Sequence, residues 1–183
     1  MISISDLADR IALRWEGARP RTRLIFGAMF VILIGMVGLT PKSLFGLPLA
    51  WPYLGLIAAV GWGRSGIGFG PMVLLVLFGF AQDASQAPWG SHGLANLLTY
   101  GLAAMVTQMA DTERSPLLSF VLPVVTLFVG ITLVWLVASI SSGHAVRVTP
   151  MLTAYFATLV VHMVIAPLFD LGIRRGSAGG ISA

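Results

Sequence analysis

Cysteine is absent from this 183-residue chain, and charge is scarce: 11 lysines and arginines and 7 acids make up 10% of it. Without cysteine there can be no disulfide, thiolate metal ligand or thiol nucleophile. With so little charge, the chain cannot cover a water-facing surface as a soluble domain does with about 25% charged residues. Histidine is almost as rare, with 3 in all. Neither His92 nor His144 has a second histidine or a carboxylate at metal-ligand spacing, and His162 reads as a packed side chain. No metal site, cofactor or nucleic-acid partner is therefore expected.

What the chain does have is apolar: 57% hydrophobic residues and a mean hydropathy of +0.91. The length allows one compact domain. Charges punctuate it, and the uncharged intervals between them are as long as a membrane is thick. A helix needs about 20 apolar residues to cross the hydrocarbon core. Six intervals meet that length, at roughly 24–41, 43–63, 65–82, 92–110, 116–141 and 149–170. Runs such as "MFVILIGMVGL" are apolar throughout, whereas barrel strands would alternate. The expectation is an all-α integral membrane protein with six transmembrane helices. It divides into a basic N-terminal segment (1–23), a transmembrane domain (24–172) and a short tail (173–183).

Orientation follows from the basic residues. Arg10, Arg14, Arg19, Arg21, Arg23, Arg64, Arg114, Arg174 and Arg175 fall on one side of the six-span arrangement, and only Lys42 and Arg147 on the other. The positive-inside rule then puts both termini of a multi-pass membrane protein in the cytoplasm. Before Pro20, Ile4, Leu7, Ala8, Ile11 and Trp15 share a helical face, and Ser3 and Asp6 have capping-box spacing. This reads as a short helix lying on the inner leaflet, with membrane lipid as its partner.

The stretch "GWGRSGIGFG" contains Gly61, Gly63 and Gly66 at the spacing of a dinucleotide-binding loop. That motif needs a preceding strand and a βαβ unit, and here apolar spans flank it on both sides. The glycines serve better as a tight turn and as packing surface. Gly55, Ala59 and Gly63 form one small-residue ridge, and Gly66 and Gly70 form a second.

Polar residues inside the spans are few. In the fourth, Asn96, Tyr100, Thr107 and Gln108 share a side with Ala103, beside a ridge of Ala95, Thr99 and Ala103. Polar groups in lipid must find partners, so this helix is expected to face other helices or to line a cavity. Asp170 and Arg174 read as an i,i+4 pair at a helix end. Asp83 is the only acid on the outer side, in "FGFAQDASQAPWGSHG" at the end of the third span. Placed outside the hydrocarbon it would be ionised, and a carboxylate there could accept several backbone N–H bonds. Catalysis would need a second titratable group within reach. Only His92 is near and no activated nucleophile accompanies it, so an enzyme is not expected.

Together, "WPYLGLIAAVGWG" and "LFGFAQDASQAPWGSHGLANLLTYGLAAM" resemble the bacterial rod shape-determining MreD family. The matching positions are Pro52 at the outer start of the second span, Gly79 and Asp83 near the end of the third, and Pro88 and Gly90 in the loop, followed by a fourth helix rich in small residues. Tyr53 departs from the pattern, because the family often carries an acid there. The resemblance implies a non-enzymatic subunit of the cell-elongation machinery. Such a subunit binds an MreC-type scaffold protein and helps regulate the lateral-wall peptidoglycan synthases, a transglycosylase and a penicillin-binding transpeptidase. A homodimer is also possible. The implied fold is similar to the S components of energy-coupling-factor transporters, so the alternative is a vitamin-binding transporter subunit. The candidate binding residues under either reading are Trp51, Pro52, Asp83, Trp89, Gly90, Asn96 and Tyr100.

Overall fold

The computed structural model describes residues 13–15, 17–38, 43–44, 47–48, 51–84, 89–109 and 116–172. Residues 13–15 are helical; most of the expected basic helix, including Ser3 and Asp6, lies outside the described residues. Helix α1 (Pro20–Gly38) opens on a proline, whose missing N–H costs nothing at a first helical position. Its start at Pro20 puts Arg21 and Arg23 on the helix rather than before it. A two-residue antiparallel pair follows, β1 (Ser43–Leu44) with β2 (Leu47–Pro48). The rest is helical: α2 (Leu54–Arg64), α3 (Phe69–Asp83), α4 (Ser91–Met109), α5 (Pro116–Ser142) and α6 (Val148–Ile165), which runs into a 3₁₀ turn at Ala166–Phe169.

Two stretches, Phe120–Ser142 and Val148–Phe169, are long and apolar enough to cross a membrane. The helices α2 and α3 are apolar but shorter, at 11 and 15 residues. The interval 43–63 is therefore not one continuous helix. Pro52 explains the late start: its ring biases the preceding residue away from helix, and it has no N–H to give. Residues 51–53 stay outside regular structure, and the Tyr53 N–H is taken up by Thr158 Oγ1 of α6 at 3.0 Å. The Leu56 and Ile57 N–H groups then donate to the Tyr53 carbonyl and begin the helix.

Helix α2 is the centre of the packing, with every residue from Leu54 to Gly63 buried. Its glycines make this possible. A methyl group on Gly55 would lie 2.8 Å from Asn96 Nδ2, and one on Gly63 would lie 2.7 Å from the Tyr100 carbonyl oxygen and 2.8 Å from Ala103 Cβ. The ridge Gly55–Ala59–Gly63 thus meets the side of α4 that carries Asn96, Tyr100 and Ala103, and Thr99 meets Gly130 of α5. The second expected ridge does not form, because Gly66 lies in the α2–α3 turn with φ +105° rather than on a helix.

A mainly apolar core also holds several polar residues, while many large apolar side chains lie on the surface. Asp83, Ser91, His92, Asn96, Thr99, Thr126, Thr158 and His162 are buried. Large apolar side chains are exposed on α1 (Phe26, Met29), α3 (Phe69, Leu77), α4 (Leu94, Met105), α5 (Phe120, Ile140) and α6 (Phe156, Val164).

Candidate functional site

The densest polar cluster among the described residues lies where α3 ends and α4 begins. Sequence reasoning put Asp83 in water at a membrane edge; the structure instead buries it, with 2% exposure. Four donors make that burial tolerable. The carboxylate Oδ2 accepts the Gly90 N–H at 2.8 Å. Oδ1 accepts the Ser91 hydroxyl at 2.9 Å, the His92 backbone N–H at 3.2 Å and the His92 ring at Nδ1, 2.6 Å away. Gly90 supplies the turn, with a φ of +88° that disfavours other residues. The negative charge also sits at the N-terminus of α4, where unpaired helix N–H groups favour it.

The close approach of the two helices sets up this geometry. A methyl group on Gly79 would collide with the backbone of Gly93, one turn before the cluster, so α3 and α4 touch there backbone to backbone. Burial alone would push the Asp83 carboxyl up. The bonds from the His92 ring and backbone and from Ser91 outweigh it and hold the group below its ordinary value. With Asp83 ionised, His92 carries its proton on Nδ1. Its Nε2 makes no hydrogen bond among the described residues, and its ring lies 5.5 Å from that of Tyr53.

A serine, a histidine and an aspartate in contact invite comparison with a hydrolytic triad, but the connectivity differs. In a triad the histidine stands between the other two, one nitrogen to each. Here Ser91 donates directly to Asp83, and its 3.3 Å contact with His92 is to the same Nδ1 that faces the carboxylate. The hydroxyl is held as a donor to a carboxylate rather than activated as a nucleophile. The cluster ties the end of α3 to the start of α4.

The other sequence candidates divide around it. Gly90 is part of the cluster, and Pro52 and Trp51 adjoin it through Tyr53. Trp89 precedes Gly90 and is 73% exposed. Asn96 and Tyr100 lie deeper and are committed to packing. Asn96 donates to the Leu75 carbonyl of α3 at 3.1 Å. Tyr100 accepts the Gly68 N–H at 2.7 Å and donates to the Gly66 carbonyl at 2.9 Å, clamping the α2–α3 turn. Gly61 and Gly63 lie within α2 rather than in a loop between a strand and a helix. Pro88 lies outside the described residues.

Ser91 and Thr158 were not singled out from the sequence, whereas His92 was noted as the titratable group near Asp83 and Tyr53 as a departure from the family pattern. A readable signal existed for Ser91 as well as His92. A glycine followed by Ser-His at a helix start is a capping pattern, and Asp83 lies only 8 and 9 positions upstream. Compared with protein-family models, curated proteins and solved structures, the chain matches none.

Proposed function

We propose that this chain is a multi-pass inner-membrane subunit of the bacterial elongation machinery, similar to MreD. It binds an MreC-type scaffold and, through it, the wall synthases, and it performs no chemistry of its own. The observation that carries this reading is the convergence of the motif positions. Pro52, Gly79, Asp83 and Gly90, read from separate stretches of sequence, serve one structure: the hydrogen-bonded junction where α3 ends and α4 begins, beside the start of α2. Exposed Trp89 and half-buried Trp51 and Pro52 border it. A rigid surface with aromatic anchors suits a protein partner.

Six crossings with cytoplasmic termini complete the reading. Exposed apolar side chains on five of the six helices suit lipid contact. Helix α2 would cross with help from the extended residues 51–53, whose freed N–H is satisfied inside the protein, as lipid requires. The absence of cysteine makes the topology easy to test. A single cysteine at exposed His144 should react with an impermeant maleimide in intact cells, and one at exposed Arg21 only after permeabilisation. Equal labelling of both would remove the six-span arrangement.

The vitamin-transporter alternative is less well supported, because Asn96 and Tyr100, two of its candidate ligands, spend their hydrogen bonds on backbone groups. Complementation tests the function. In rod-shaped cells depleted of their own shape-determining subunit, the wild-type chain should restore rods, and Trp89→Ala at equal membrane abundance should not. Round cells with abundant wild-type protein would refute the proposal.

A further inference from the structure

At the opposite end of α2, Trp15 and the start of α1 are fastened to the segment that follows α6. The Trp15 indole N–H donates to the Pro167 carbonyl at 3.1 Å, and the ring meets Phe26 edge-on at 5.4 Å. The guanidinium of Arg23 lies 5.7 Å from the centre of that indole ring and donates to the Asp170 carbonyl at 3.2 Å. The Leu171 N–H donates to Ser65 Oγ of the α2–α3 turn, also at 3.2 Å. Beneath them Phe169 is fully buried, against Gly27 and Trp62 and over Gly61. The strap 166–172 thus holds both the segment before α1 and the α2–α3 turn.

From this arrangement we infer a binding collar for anionic phospholipid headgroups, built from Arg14, Arg19, Arg21 and Arg64 around the strap; the inference rests on the membrane reading above. All four arginines are exposed at this end. Asp170, the acid here among the described residues, points its carboxylate back to the Gly172 N–H at 2.8 Å. Just along α1, Ile25, Phe26 and Met29 are 61%, 52% and 55% exposed. A basic rim above an apolar wall is the profile of a headgroup boundary. Guanidinium groups bind phosphodiesters in paired hydrogen bonds. A zwitterionic headgroup would set its own cation against the arginines, so charge complementarity selects a net anionic lipid. Because Trp15 is tied to Pro167, the collar is preorganised and does not depend on a trailing tail settling on the surface.

The test uses the intact protein, with phosphatidylglycerol and phosphatidylcholine as the two probes and bound lipid counted by native mass spectrometry. The wild type should prefer phosphatidylglycerol. An arginine near an anionic surface contributes roughly fivefold in affinity, so the triple variant Arg14→Gln/Arg19→Gln/Arg21→Gln should lose most of the preference. Arg147→Gln, an equally exposed arginine at the far end of α6, should keep it. Trp15→Phe keeps every charge but loses the bond to Pro167, and should lower the preference by a smaller factor. Equal binding of the two lipids, or equal losses in Arg147→Gln and the triple variant, would overturn the collar. An unchanged Trp15→Phe would overturn the part assigned to the strap. Alkaline carbonate extraction of the same membranes separates the two levels of the argument. Release of the wild-type chain would refute the membrane reading itself, whereas retention without lipid preference would refute only the collar.

Discussion

The two ends of α2 are both held by hydrogen bonds to groups outside the helix ladder, yet they are built on different principles. At the α3–α4 turn a single charged group collects four donors from residues 7 to 9 positions away. At the strap, separate bonds join residues 106, 147 and 152 positions apart, and their acceptors are two backbone carbonyls and a hydroxyl. The first end concentrates its stability in one side chain, because each buried donor there depends on the same carboxylate. The second spreads it over contacts that can fail one at a time. A defined surface for a partner calls for the first construction; fastening the strap to α1 and the residues before it calls only for the second.

Glycine substitutions should separate the ends most sharply. Gly79→Ala puts a methyl group into the backbone of Gly93, so two helices must move apart. We expect a loss of about 3 kcal/mol, at the upper end of overpacking costs. Gly61→Ala makes one close contact, with Phe169 Cβ on the strap, where Gly79→Ala makes three, and should cost about half as much. Thermal unfolding of both variants in one detergent measures the difference, and equal losses would break the contrast.

Asp83 comes next. Asp83→Ala leaves the Gly90 and His92 N–H groups and the Ser91 hydroxyl without their acceptor, at a cost of about 2–3 kcal/mol. Asp83→Asn retains one acceptor oxygen and should cost less. The pH dependence has a definite sign. The folded carboxyl sits below its ordinary value of 3.8, so the folded state binds its proton less readily than the unfolded chain. Its contribution is complete at neutral pH and is lost as pH falls through that ordinary value and below. Asp83→Asn should flatten the acid limb of the stability profile; an unchanged limb would mean that the carboxylate carries no differential charge.

The smallest effect should be Trp15→Phe, which keeps the aromatic contact with Phe26 and removes one neutral bond, for about 1 kcal/mol. A loss as large as that of Asp83→Ala would show that the strap is as concentrated as the turn.

The same contrast explains what could be read from sequence. Five of the six helices overlap most of their uncharged intervals, although among the described residues only the last two include a stretch long and apolar enough to cross a membrane. The second does not, since Pro52 delays it and the Tyr53 N–H donates instead to Thr158, 105 positions away. Asp83 was recognisable as a lone acid between apolar segments, and its loop could be expected to contain its partners. Its burial was not, because composition places a charge in water unless the donors are known. The strap was invisible: the chain gives no sign that Trp15 meets Pro167 or that Phe169 fills the space beside Gly61. Asp170 was expected to pair with Arg174 on a helix, but it adopts an extended conformation and bonds Gly172, and Arg174 lies outside the described residues.

The central claim is that the Asp83 cluster and the residues beside it present a surface to a scaffold protein. It is tested most directly by capturing the intact chain from native membranes in mild detergent and quantifying what comes with it, for wild type and Trp89→Ala side by side. Trp89 is 73% exposed, so its loss should leave the fold intact. The account predicts a bitopic scaffold with a transglycosylase and a transpeptidase on the wild type, and a several-fold smaller yield of all three on Trp89→Ala. A pair of nucleotide-binding subunits with a coupling protein, held equally by both forms, would contradict it.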